Sequence, residues 1–217
     1  MGTLFRKESI YKGTGKMRLI GITGGVGAGK STILEYIRAH YLCRIYLADQ
    51  VAHEVKEPGQ PCYKALVELL GPEILEEDGQ IHKGRMAEKI FQDETLLEQV
   101  NAIVHPAVQT YLLEKIQEAR QEGQTELFFI EAALLIECGY KSIVDEMWYI
   151  HAGEDVRRQR LLQSRGYTLE KIEQIMNSQL TEEAFRAGSD FVIDNSGEPE
   201  ESFWQIRRRL EDYTWRQ

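Results

Sequence analysis

The sequence predicts an α/β protein: a five-stranded parallel sheet with helices on both faces, a helical insertion in its first half and a shorter helical segment later. Three observations predict it. Five short apolar runs, rich in β-branched and aromatic residues, recur along the 217 residues. Helical patterns separate most of them, the alternation that parallel strands joined by crossover helices produce. A glycine-rich turn joins the first run to the first helix. Apolar residues make up 42% and charged residues 28%, ordinary globular values with material for a proper core.

Residues 18–23 (RLIGIT) read as a buried strand. A helix is expected over 31–39, where Ile33, Tyr36 and Ile37 keep helical spacing. Residues 44–48 (RIYLA) form a second strand, ending at Asp49. The character then changes. Pro58-Gly59 and Gly71-Pro72 signal turns. Helices are expected over 62–70, 83–91, 94–104 and 106–122, with Pro106 in the first turn of the last, where a missing N–H costs nothing. Residues 127–130 (LFFI), 147–150 (MWYI) and 191–193 (FVI) are the remaining strands, with helices over 156–164, 169–179 and 202–213. The chain thus divides into a flexible extension, 1–16, and one domain, 17–217. Within that domain the core is 17–49, 123–155 and 188–217, the insertion is 50–122, and a lid region is 156–187.

The net charge of −9 argues against broad binding to nucleic acid or anionic membranes, which calls for a basic face. Cys43, Cys62 and Cys138 are odd in number, widely spaced and match no zinc pattern, so reduced thiols are expected. No apolar run reaches the ~18 residues of a membrane span, and 1–16 lacks the apolar stretch of a secretory signal. A cytoplasmic monomer is expected.

Gly24-Gly25-Val26-Gly27-Ala28-Gly29-Lys30-Ser31 fits G-x-x-x-x-G-K-[ST]. Glycines let the backbone wrap with its N–H groups turned inward, and the next helix presents its N-terminus to the same anion. The four fixed positions coincide in about one random chain of this length in a hundred; a strand before and a helix after make chance a poor account. Residues 24–32, Gly24 through Thr32, are therefore expected to hold nucleotide phosphates, Lys30 reaching the β- and γ-phosphates and Ser31 ligating Mg²⁺. The motif makes the fold a P-loop NTPase-type three-layer sandwich.

Asp49 follows the second strand, and the carboxyl ends of strands line the crevice of an open parallel sheet. There it can take a proton from an attacking hydroxyl, or simply cap a helix. Glu131 ends the third strand, either as a carboxylate on the metal or as an exposed strand-end acid. Glu137 is a weaker candidate. Arg157, Arg158, Arg160 and Arg165 cluster on one helix and just past it. Arg160 and Arg165 are the candidates to neutralise charge on the transferred phosphoryl group, whereas Arg157 and Arg158 read as a solvated face, as do 207–209. Lys83 can meet an acceptor phosphate. A GTPase would want Asn-Lys-x-Asp, which the sequence lacks.

Beyond the P-loop the chain resembles the dephospho-CoA kinases from about Met17 to its end. The resemblance runs through Ala48-Asp49, Val55-Lys56-Glu57-Pro58-Gly59, the stretch from Asp78 to Lys83, Ile90-Phe91, His105-Pro106, Leu134-Leu135-Ile136-Glu137 and Val192-Ile193-Asp194-Asn195. The chain departs from that family at Leu47 (usually Asp), Ala133 (usually Pro), Ser164 (usually the lid arginine, here Arg165 one place on) and Phe185 (usually basic). The resemblance implies transfer from ATP, with Mg²⁺, to the ribose 3′-hydroxyl of dephospho-CoA, with Asp49 as general base. It also implies that His105 shapes the acceptor pocket, that Asn195 lies near the adenine, and that Gln179 orients a lid helix.

Overall fold

A computed structural model describes residues 17–91 and 93–215, the side chains of Glu94, Arg165 and 212–215 excepted. The expected extension, 1–16, lies outside the described residues. The chain divides into two compact units, Met1–Ile45 with Glu122–Gln217, and Tyr46–Gln121.

The first unit is built on the sheet. Its strands are β1 (Arg18–Thr23), β2 (Cys43–Leu47), β3 (Leu127–Glu131), β4 (Glu146–His151) and β5 (Phe191–Asp194), in the order β2-β3-β1-β4-β5. β1 pairs in parallel with β3 and β4, and β4 with β5. β1 is buried from Leu19 onward and β4 from Glu146 to Ile150, on both faces. Strands covered on both faces read as unbroken apolar runs, which is why these were visible in sequence. Helix α1 (Lys30–His40) lays Ile33, Leu34 and Ile37 into the core. Ile33 and Ile37 are fully buried, each contributing about 1.5–3 kcal/mol. Phe129, Trp148 and Phe191 meet edge to face across the central strands, with centroids 5.9 and 5.4 Å apart.

The second unit is helical: α2 (Ala48–Glu54), α3 (Tyr63–Leu70), α4 (Lys83–Phe91) and most of α5 (Glu94–Glu122). The sequence missed α2, whose seven residues are too short to show a period. It also split α5, a single 29-residue helix with Pro106 inside it. A proline there costs about 3 kcal/mol. The stripe Val100, Val104, Val108, Leu112, Ile116 and Ala119 is buried on both sides of the proline. Several buried side chains at about 1.5–3 kcal/mol each outweigh one backbone defect.

The chain returns to the first unit through β3 and β4. Helices α6 (Glu154–Arg165), α7 (Leu169–Asn177) and α8 (Glu182–Ala187) then precede β5, and α9 (Pro199–Trp215) ends the described chain. α8, six residues long, was also missed. The expected solvated face at 207–209 holds only for Arg207 and Arg208. Arg209 clamps the buried Glu146 carboxylate at 3.0 and 3.2 Å, and the Trp148 indole N–H donates to the same group.

Candidate active site

The site grows from the carboxyl ends of four neighbouring strands. Register places Ile22 of β1 beside Glu131 of β3, and Thr23 beside Tyr149 of β4. The Thr23 hydroxyl donates to the Ala133 carbonyl at 3.1 Å, and the Asn195 backbone N–H to the His151 carbonyl at 2.8 Å. Gly24, Glu131 and Asn195 are thereby drawn to one end of the sheet, where open parallel sheets bind ligands.

From there residues 24–29 wrap into α1. Gly29 caps the helix with φ 87° and no side-chain hydrogen bond, and a Cβ on it would collide with the Asn195 amide. The opening N–H groups of α1 therefore have no side-chain cap, the condition for an anion at the helix N-terminus. Lys30 folds back over the loop. Its Nζ donates to the Gly24 carbonyl at 2.8 Å and lies 3.6 Å from the Glu131 carboxylate, both side chains mostly buried. Ser31 and Thr32 are exposed on the first turn of α1.

Helix α6 touches this loop. Arg160 of α6 donates to the carbonyls of Ala28 at 3.4 Å and Asn195 at 2.9 Å. The Asn195 amide donates to Ala28 at 2.8 Å while its carbonyl accepts from Ser202 at 2.8 Å. Asn195 is thus a buried buttress of the loop. Arg157, expected to be solvated, is half-buried and donates to the Val26 carbonyl at 2.9 Å and to Gln179 at 2.6 Å. Arg158, about 100° round the helix and also of intermediate burial, is ion-paired to Glu154, Asp155 and Glu173. The side chain of Arg165 lies outside the described residues, and Glu137 is exposed.

The remaining candidates belong to the second unit. Asp49 is exposed in the first turn of α2, and Lys83 opens α4. Both act on the same two groups. Burial, then Lys56 and Lys83, lowers the pKa of His53, with Asp49 opposing. Burial, then Lys83, lowers that of the half-buried Lys56, with Cys62 and Asp49 opposing. Asp49 therefore shares its surroundings with a concentration of basic groups, of which sequence reasoning had singled out only Lys83. His105 is exposed in mid-helix beside Pro106, and does not start a helix.

A family model described as dephospho-CoA kinase matches residues 18–201. The chain is 34% identical over 204 residues to a dephospho-CoA kinase of Moorella thermoacetica, covering 90% of this chain and 95% of that one. It is 35% identical over 201 residues to one from Thermobifida fusca, covering 89% and 98%. Among solved structures, TT1252 from Thermus thermophilus aligns with a TM-score of 0.76 and 26% identity, over 90% of this chain and 97% of that one. A dephospho-CoA kinase from Campylobacter jejuni aligns at 0.70 and 19% identity, over 92% and 98%, a likeness of fold. With the P-loop geometry in place and relatives matched over nearly their whole length, the chain belongs to the dephospho-CoA kinase family.

Proposed function

We propose that the chain transfers the γ-phosphoryl group of ATP to the ribose 3′-hydroxyl of dephospho-CoA, giving CoA and ADP, the last step of CoA synthesis. It is an ATP-dependent phosphotransferase acting on dephospho-CoA. The observation that carries this reading is the uncapped start of α1 beneath a glycine loop, with Lys30 lying across it.

Transfer to an alcohol needs positioning and charge neutralisation more than covalent help. Residues 24–32 hold the polyphosphate through backbone N–H groups, that of Val26 excepted, which donates to Gln179. Lys30 exchanges the Gly24 carbonyl for the β- and γ-oxygens, Glu131 holding it nearby until then. Arg160 fixes the loop from the lid, and Arg165 is the second lid cation. Asp49 accepts the hydroxyl proton as general base. Lys83 meets an acceptor phosphate, and His105 shapes the acceptor pocket. Asn195 serves the adenine end of the donor by holding Ala28 in place.

Among the described residues no three His, Cys, Asp or Glu side chains form a metal cluster. Mg²⁺ does not need one, since it takes few protein ligands beside phosphate oxygens and water. The hydroxyl of Ser31 and the carboxylate of Glu131 fit that demand. When bound, the ion neutralises charge building on the phosphate oxygens.

The protein works as a cytoplasmic monomer and binds neither nucleic acid nor membrane. In support, the net charge is −9, the three cysteines are free thiols, and no helix of the described residues is long and apolar enough to cross a membrane.

Incubation with Mg·ATP and dephospho-CoA, beside a panel of nucleosides and sugars, tests the reading through ADP release. Turnover concentrated on dephospho-CoA is expected. Background rates there, with clear turnover on another acceptor, would overturn it.

A further inference from the structure

Two adjacent arginines on α6 have opposite surroundings. Arg158 is enclosed by Glu154, Asp155 and Glu173. Arg157 is half-buried, and among the described residues no carboxylate pairs with it. A half-buried cation without an ion pair is costly to keep, and burial lowers its pKa although Tyr149 and Glu154 oppose the shift.

Arg157 is held by neutral oxygens. Its Nε–H donates to the Val26 carbonyl at 2.9 Å, and its Nη2–H to the Gln179 Oε1 at 2.6 Å. The same Gln179 oxygen accepts the Val26 amide at 3.1 Å. Both backbone polar groups of Val26, at the tip of the P-loop, are therefore taken by this pair. The flanking glycines make room for it. A Cβ on Gly25 would lie 2.6 Å from the Arg157 guanidinium carbon and 2.9 Å from the Gln179 oxygen. A Cβ on Gly27 would lie 3.0 Å from the Arg157 carbonyl and 3.1 Å from Leu161. The phosphate-binding motif demands glycine at 24 and 29 but not at 25 or 27. Gly25, whose backbone angle any residue can adopt, answers to Arg157 and Gln179; Gly27 answers both to α6 and to its own φ of 78°.

We propose that Arg157 and Gln179 form a latch that sets the tip of the phosphate cradle for the donor, with Arg157 a positioning residue acting through Val26. The latch couples the lid region to the loop. The charge of Arg157 draws it toward that loop once polyphosphate occupies the cradle, so donor binding and latch closure reinforce each other. The inference rests on the P-loop holding ATP and is independent of the acceptor.

The test is ATP affinity by calorimetry without acceptor, alongside steady-state kinetics, for Arg157→Ala, Arg157→Lys, Gln179→Ala and the double alanine variant. Arg157→Ala is expected to weaken ATP binding by about tenfold to a hundredfold. The KM for dephospho-CoA is expected to stay within about twofold, the reading a general loss of structure would not give. Arg157→Lys restores only part, because an ammonium lacks the planar fork that reaches both acceptors. Gln179→Ala loses several-fold, and the double variant loses no more than Arg157→Ala alone, since the two residues act as one unit. Should Arg157→Ala fail to fold, Gln179→Ala and Arg157→Lys carry the test. The latch is overturned if ATP affinity in the single variants that fold stays within about twofold of the parent, or if the losses multiply in the double variant as for independent sites. Latch-dependent ATP binding without turnover of dephospho-CoA would keep the latch and sink the acceptor assignment.

Discussion

The two compact units build their binding groups from different materials. In the unit made of Met1–Ile45 and Glu122–Gln217, the proposed donor site is largely backbone: the loop of residues 24–29 and the first turn of α1. Side chains such as Arg157, Arg160 and Asn195 act by holding carbonyls of that loop. In the unit Tyr46–Gln121 the proposed acceptor groups are side chains of separate helices, with Asp49 on α2 and Lys83 on α4. A backbone cradle constrains a contiguous stretch, because only glycine meets its angles and close approaches. A side-chain site constrains single residues far apart, with little local signature.

Substitutions can break that contrast or sharpen it. The largest effect is expected at Asp49. Asp49→Asn removes the proposed base and leaves the backbone cradle intact, so kcat should fall by about 10²- to 10⁴-fold while ATP affinity stays at the parent value by calorimetry. Loss of ATP affinity would mean that the division between donor and acceptor groups is drawn in the wrong place. Lys83→Ala should be milder. Removing one exposed phosphate contact should raise the KM for dephospho-CoA by about tenfold or less, leaving the KM for ATP unchanged. A rise in the ATP KM instead would move Lys83 to the donor side.

The same contrast explains what the sequence revealed. The strands buried on both faces stood out as apolar runs, and the P-loop as a motif, because each is a property of contiguous residues. Arg157 did not. On the helix Arg157 and Arg160 are three apart and share a face; the sequence reading grouped Arg157 with Arg158 as a solvated face instead. One signal was available in Gly25, a glycine that neither the motif nor its own backbone angle needs, which told of a close neighbour without saying which. His53 and Lys56 were missed for the opposite reason. Their bearing on Asp49 and Lys83 comes from how α2, the turn after it and α4 come together, which no local pattern records. α2 and α8 escaped because two turns of helix are too short to display a period.

The smallest expected effect concerns Pro106, and it tests the second unit alone. Read locally, proline after His105 marks a helix start, where it is at home. In the structure it lies inside the 29-residue α5. The two placements predict opposite signs for Pro106→Ala. At a helix start, alanine would give up a preset backbone angle and lose a few tenths to about 1 kcal/mol. Inside a helix, alanine restores a backbone donor and removes the clash with the preceding turn, a gain of up to about 3 kcal/mol. The looser unfolded chain then offsets about 0.4–1 kcal/mol of it. A net stabilisation of up to about 2–2.6 kcal/mol follows, which for a chain of this length is a rise of up to roughly 4–10 °C in melting temperature. Because Pro106 is exposed and the buried stripe of α5 is untouched by the change, ATP affinity should not move. A fall in melting temperature would divide α5 at His105 and restore the two-helix reading.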